Sequence, residues 1–253
     1  MAIVPVAPVI SRWHKIHNSL YPPTNCTAVV VWGQPYTLGS TLGLSKITKF
    51  LRDTTYIPLH NVGVMVGCML GDAHFRVSTT GNVRFMLKQS IVNFPVVWTA
   101  FTYLAHYCSG APARAQSTLG GKQFLAVVLG TRNYPVFTQL YNLFYQNGVK
   151  VISPELYHYL SPTALAWWIM CDGARNMGGL VLCTECFTYP EVVCLMNILM
   201  LRYDLQCTIH TTRSGPRIYV SETSMPKLRA IVGSHMLPFS MYKLAGVARR
   251  YAN

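Results

Sequence analysis

From Asn61 onward the hydrophobic and polar positions can be read twice against one template. In the first pass a glycine-spaced apolar segment, 62–71, ends in Asp72. A strand-like run over 82–90 follows, then a helical stretch over 94–107, a strand over 123–130, a helix over 134–146 and a close at Gly148, Val149 and Lys150. In the second pass an apolar segment over 164–171 ends in Asp172. It leads into a strand over 179–186, a helix over 189–202, strands over 206–211 and 217–221, a helix over 225–232 and a close at Met241, Tyr242, Lys243 and Leu244. Aspartate and closing lysine stand about 78 residues apart in one pass and about 71 in the other, the spacing of a duplication whose loops have drifted. Each pass reads helix, strand, strand, helix, which is α+β and not a chain of alternating βαβ units.

The longest apolar runs, 62–70 and 192–201, are about half the ~20 residues a bilayer requires, so they predict buried helices and no membrane partner. The first 45 residues differ from the rest: Pro5, Pro8, Pro22, Pro23 and Pro35 interrupt any periodicity, and no acid precedes Asp53. They read as an arm (1–45) ahead of two halves (46–150 and 151–253). A transit peptide would be acid-poor too, but richer in Arg than the local cluster Arg12, His14, Lys15 and His17. No export signal pattern opens the sequence. The eight cysteines lie in apolar stretches, which predicts reduced, buried thiols and an intracellular or organellar setting.

Charge changes the picture. The 21 Lys and Arg face only 8 Asp and Glu, a formal +13, yet only 11% of residues are charged. The excess therefore comes from missing acids, and bases without acidic neighbours hold a standing positive potential that favours a polyanion, nucleic acid above all.

Among so few acids, two occupy equivalent places. Gly63, Gly67 and Gly71 recur every four residues, on one helical face. Each glycine costs a helix about 1 kcal/mol relative to alanine, so the stripe needs a packing reason, and close approach of the second segment with its Ala164, Ala166 and Cys171 supplies one. Asp72 and Asp172 would then meet at the two C-terminal ends. Acids are unfavourable there, because a helix C-terminus is partially negative and close carboxylates repel. A hard divalent cation such as Mg²⁺ or Mn²⁺ reverses both penalties. The plainer alternative is that each Asp ends its helix in solvent, Asp172-Gly173 being ordinary turn chemistry.

Val62-Gly63-Val64-Met65-Val66-Gly67-Cys68-Met69-Leu70-Gly71-Asp72 and Leu165-Ala166-Trp167-Trp168-Ile169-Met170-Cys171-Asp172-Gly173 resemble the paired motifs of single-chain, two-repeat LAGLIDADG homing endonucleases of organelle introns. The resemblance covers about residues 38–244. It implies two pseudo-twofold αββαββα halves whose sheets form a saddle along the DNA major groove. It also implies a metal-binding carboxylate from each motif, Asp72 and Asp172, and hydrolysis of both strands across the minor groove in a monomer, in a mitochondrion or a chloroplast. By the same resemblance Lys150 and Lys243 flank the scissile phosphates, while Gln89, and Glu185 at the equivalent point of the second half, position water. Cys171 departs from the family pattern, in which that position is often acidic or Gly. Base readout is expected from Arg76, Arg84, Lys88, Arg213 and Arg217 as exposed strand residues.

Two features have plainer readings. Lys150 and Lys243 could merely offset helix C-terminal dipoles. Cys183 and Cys186 form a C-x-x-C, but on a strand their sulfurs would face opposite sides, which argues against zinc. The competing function is a binding protein on the same fold, holding group I intron RNA as a maturase or ribosomal RNA in an organellar ribosome, without cleavage. An anionic-membrane or zinc-structured protein is a third.

Overall fold

The computed structural model describes residues 41–245 apart from 45 and 80. The arm expected over 1–45 therefore lies outside the described residues except at 41–44, where Thr41 and Leu42 are buried and Thr41 Oγ1 donates to the His106 carbonyl at 2.5 Å.

The first half runs α1 (Leu59–Leu70), β1 (Ala73–Val77), β2 (Val83–Ser90), α2 (Phe94–Leu104), β3 (Ala113–Leu119), β4 (Lys122–Gly130) and α3 (Val136–Phe144). The second repeats it as α4 (Pro162–Asp172), β5 (Gly173–Asn176), β6 (Gly179–Leu182), α5 (Tyr189–Tyr203), β7 (Cys207–Thr212), β8 (Gly215–Val220) and α6 (Met225–Val232). Each half carries one antiparallel four-stranded sheet, in the orders β1-β2-β4-β3 and β5-β6-β8-β7. The ladders superpose in register. Leu87 pairs with Ala73 and Leu129, and Leu182 pairs with Gly173 and Ile218. No helix among the described residues is long and apolar enough to cross a membrane.

Periodicity alone missed β1, β3 and β5. The first and last are only five and four residues long, and β3, Ala-Arg-Ala-Gln-Ser-Thr-Leu, is a polar edge strand with no alternation to detect. The strand expected over 179–186 stops at Leu182, and the chain turns through 183–188 before Thr188 and Glu191 cap α5 reciprocally. Cys183 and Cys186 thus flank a turn and do not lie on opposite faces of a strand. Among the described residues no group of three or more His, Cys, Asp or Glu is arranged to hold a metal. The expectation of buried thiols holds for Cys68, Cys108 and Cys171, whereas Cys186 is exposed.

The two halves meet on α1 and α4, the most extensive helix contact in the molecule. Both helices are buried nearly all round, from Gly63 through Leu70 and from Thr163 through Cys171, as helices at the centre of a core must be. Trp167 and Trp168 are part of that core. Ser161 starts α4 by accepting from the Ala164 amide, with Pro162 in the first turn, where its missing N–H costs nothing.

The glycine stripe lies along the crossing. A Cβ on Gly67 would run into the Ala164 carbonyl oxygen and stand 2.5 Å from Trp167 Cβ and 2.9 Å from the Trp168 amide. A Cβ on Gly63 would meet mainly side chains, Ser161 Oγ at 2.9 Å and Thr163 Cβ at 3.2 Å. Backbone yields less readily than a rotamer. Gly67→Ala should therefore destabilise the protein by roughly 3 kcal/mol, the upper end of core overpacking, and Gly63→Ala by clearly less. Denaturant unfolding checks the order; equal losses would mean that the backbone neighbours of Gly67 yield as readily as the side chains around Gly63.

Candidate active site

The crossing delivers two carboxylates to one place. Asp172 is the last residue of α4, and Asp72 follows α1 by two. A Cβ on Gly71 would lie 2.6 Å from Cys171 Cβ and 3.2 Å from Asp172 Cγ, so glycine is what lets the first chain pass this close to the end of α4. Asp172 is half-buried, and Asp72 sits at the rim, where solvent reaches it. From that rim a cleft of about 360 Å³ opens, lined by Asp72, Lys88, Gln89, Ser90, Ser117 and Phe124 among others.

Each half's closing lysine reaches back to the C-terminal end of its own crossing helix. Lys150 stands on a two-residue strand, Val149–Lys150, paired with Tyr145–Gln146, and its Nζ donates to the carbonyls of Ala73 at 3.1 Å and Gly71 at 3.4 Å. Lys243 lies in the 3₁₀ run Pro238–Leu244 and donates to Met170 at 2.7 Å and Ile169 at 3.1 Å. Both place positive charge at the C-terminal end of a crossing helix, where the plainer reading puts it. Both also interact with both carboxylates, which that reading did not require.

The electrostatics hold both carboxylates towards their neutral forms. Asp172 is pushed up to about 7, first by burial and then by the Asp72 charge, with Glu185 adding to the rise and Lys150 and Lys243 opposing it. Asp72 is raised by the protein packed around it, against the pull of the Gln89 hydrogen bond and of Lys243 and Lys150. Burial draws both lysines below the ordinary ammonium range, and the carboxylates draw them back. Two hard oxygen ligands that resist ionising beside each other, with helix carbonyls at hand, fit a divalent cation.

Gln89 is buried on β2 and its Nε2 donates to Asp72 Oδ2, while its Oε1 accepts from Asn93 Nδ2 at 2.9 Å. Asn93 fixes which end of the amide faces the carboxylate. It escaped the sequence reading, although an amide four residues after Gln89 was there to notice.

The second half does not repeat this arrangement. Counting from the paired Leu87 and Leu182, the residue at Gln89's register is Thr184, a buried hydroxyl donating to the Pro216 carbonyl at 2.8 Å. Glu185 is one step further on, in the turn, and forms an ion pair with Arg217 of β8. The expected equivalence of Glu185 with Gln89 is thereby corrected, because β6 ends before that point.

Of the expected base-reading residues, Arg76, Arg84 and Lys88 project from the open face of the first sheet, where burial alternates strictly along β2. Arg217 is held by Glu185, and Arg213 lies in the β7–β8 turn, not on a strand. Arg76 and Arg84 are direct cross-strand partners, a like-charge pairing that costs stability by itself. His74 beside them is drawn below the usual histidine range by burial first and then by Lys150, Arg76 and Arg84.

The raised Asp172 carries a sign. Its proton is bound more tightly in the folded chain, so its contribution to stability is present at low pH and fades as pH rises from the ordinary carboxylate range through about 7. His74 and His106, both lowered, give a slope of the opposite sign. The informative quantity is thus the difference between two proteins. In metal-free buffer Asp172→Asn should melt above wild type at pH 7.5, and that advantage should shrink towards pH 5. A constant offset across this range would mean that Asp172 ionises normally.

The chain resembles the cytochrome b mRNA maturase bI2 of Saccharomyces cerevisiae, at 32% identity over 199 residues, covering 72% of this chain and 47% of that protein. It therefore spans about half the length of that relative. The maturase bI2 of Debaryomyces hansenii is 31% identical over 188 residues, 72% of each chain. In fold it is similar to the homing endonuclease I-WcaI bound to its DNA recognition sequence, with a TM-score of 0.73, 23% identity, 83% of this chain and 99% of that one covered. The model of the LAGLIDADG DNA endonuclease family matches residues 62–228, a stretch that includes both carboxylates and both sheets, and the chain belongs to that family.

Proposed function

We propose that this chain is a site-specific double-strand DNA endonuclease that hydrolyses phosphodiesters with Mg²⁺ or Mn²⁺ held by Asp72 and Asp172. The observation that carries the reading is the meeting of two carboxylates, each raised towards its neutral form, at the shared end of the two central helices. The bound cation would stabilise charge on the attacking and leaving oxygens of the phosphodiester.

The chain's own residues supply the rest. Gln89, oriented by Asn93, keeps Asp72 aimed at the cleft and is the residue assigned to hold the attacking water in the first half. Lys150 and Lys243 supply positive charge beside the carboxylates, where developing phosphate charge is stabilised. Glu185 is assigned the water-holding role in the second half, from the turn and through its contact with Arg217. Because Thr184 replaces the amide there, the two half-sites are inequivalent and the two strands should be cut at unequal rates. Arg76, Arg84 and Lys88, with Arg213 and Arg217, bind the duplex. Without a polyanion to offset it, the Arg76–Arg84 pairing has no stabilising reason to exist. The pseudo-twofold chain would act as a monomer, and the cytochrome b relatives favour a mitochondrial setting.

The relatives named as mRNA maturases favour a second reading, RNA binding in intron splicing on the same fold.

The test is incubation of purified protein with the intronless allele of its host gene, with Mg²⁺ and with EDTA. One double-strand break that needs the metal is expected. Asp72→Asn and Asp172→Asn should each lower the cleavage rate by a factor of at least about 10² while retaining DNA binding, as removal of a charge-stabilising catalytic group does. Undiminished cutting by either variant would overturn the metal assignment. Binding should also fall steeply between low and physiological salt, by about one log unit in Kd per log unit of salt for each phosphate contact; a flat response would leave the basic surface without a polyanion to bind.

A further inference from the structure

Away from the carboxylates, at the end of the first sheet remote from the helix crossing, a pocket of about 360 Å³ is lined by Lys46, Arg52, Arg84 and Arg132 with Ser109, Thr131 and Asn133. It has four cationic side chains and no acid in its wall. Arg132 is partly spent on the chain itself, its Nη2 donating to the carbonyls of Thr41 at 3.2 Å and of Leu44. Its Nε, however, is buried without a hydrogen-bond partner among the described residues, and so are Arg52 Nε and Asn133 Oδ1. Buried polar atoms left unpaired cost stability, and three of the four such side-chain atoms among the described residues belong to this one basic pocket. Two are donors, suited to a phosphate oxygen. The third is an acceptor, which a phosphodiester oxygen cannot satisfy.

The second half does not repeat these side chains. By the ladder register the positions of Arg84, Arg132 and Asn133 are there Gly179, Ser221 and Glu222, two uncharged residues and an acid. The device therefore does not belong to the symmetric architecture that positions the carboxylates. Arg84 also belongs to the face assigned to the duplex, but a duplex laid evenly over both sheets gives no reason for Lys46, Arg52 and Arg132.

We propose that this pocket is a separate RNA-backbone site: Arg52, Arg132 and Lys46 hold one phosphate, and a neighbouring ribose 2′-hydroxyl donates to Asn133 Oδ1. Among nucleic-acid backbones only RNA offers an anion and a hydroxyl donor side by side. The site goes beyond the endonuclease reading and does not depend on it.

The experiment compares a mixed-sequence single-stranded RNA with the DNA strand of the same sequence, titrated by fluorescence anisotropy against full-length protein. Wild type should bind the RNA more tightly. Arg52→Gln should weaken RNA binding by about tenfold or more, as loss of a charged hydrogen bond does, with Arg52→Lys partly restoring it. The salt slope of Arg52→Gln should be shallower than that of wild type by about 0.7, the share of one phosphate on a single strand. Asn133→Leu should bring the RNA affinity down towards that of the DNA strand while leaving the latter unchanged. Unaltered RNA binding by Arg52→Gln would overturn the site, and equal losses on RNA and DNA in Asn133→Leu would overturn its assignment to RNA. Mg²⁺-dependent DNA cleavage is measured on the same variants. Loss of RNA binding with cleavage retained supports the separate site, whereas a wild type that binds RNA and never cuts would count against the endonuclease reading alone.

Discussion

The backbone contact between the two central helices is the constraint on which the molecule depends. At Gly67 one helix lies against the carbonyl and the first side-chain carbons of the other, and at Gly71 the chain passes beside Asp172 with no room for a Cβ. That contact joins the two halves through their common core, and it sets the separation of the carboxylates at its end. Stability and chemistry are therefore tuned by the same three glycines. Separating the helices to relieve crowding at Gly67 would also part the aspartates. The helix cost of glycine, about 1 kcal/mol at each of Gly63 and Gly67, is offset by packing that no larger residue permits.

Beyond the crossing the molecule is asymmetric in a consistent direction. The first half has an amide pair, Gln89 and Asn93, behind its aspartate, an open basic face on β1 and β2, and the basic pocket at its far end. The second has a committed threonine, an arginine neutralised by Glu185, and a stacked His210–Tyr219 pair on its open face. A duplicated fold begins with two equal half-sites. Here the carboxylates and lysines have stayed equivalent, whereas the residues that would meet a ligand around them have diverged. Positions governed by the shared crossing have little freedom; positions on open faces answer only to what binds there.

The same distinction explains what was legible in the sequence. The glycine stripe, the two aspartates and the two closing lysines stood out because each is a local anomaly repeated at matching distance: glycines inside a helix, acids at helix C-termini, isolated bases after apolar runs. Strands β1, β3 and β5 did not, since a four- or five-residue strand barely alternates and a polar edge strand does not alternate at all. Glu185 was misplaced by one register step because β6 ends at Leu182, a boundary set by the Thr184 hydroxyl bonding across to Pro216 and by the capping box that starts α5. The basic pocket was invisible for a different reason. It assembles from segments far apart in the chain, and only the folded sheet brings Arg52, Arg84 and Arg132 together.

Charge ties these observations together. A chain with 21 basic residues and 8 acids gains nothing from Arg76 facing Arg84 unless a polyanion covers them, and it sets Asp72 and Asp172 side by side with only Lys150 and Lys243 to oppose their charge. The folded protein thus holds like charges together in two places: carboxylates at the helix crossing, offset in part by the two lysines, and arginines on the first sheet. On the proposed function each would be relieved by one component of a metal–nucleic acid complex. That relief would be cooperative: a phosphate over the basic sheet would add anionic oxygens near a cation held by Asp72 and Asp172, and such a cation would neutralise carboxylates that otherwise repel the phosphate. On that reading the stability withheld from the free chain would be returned on binding, most fully when both components are present.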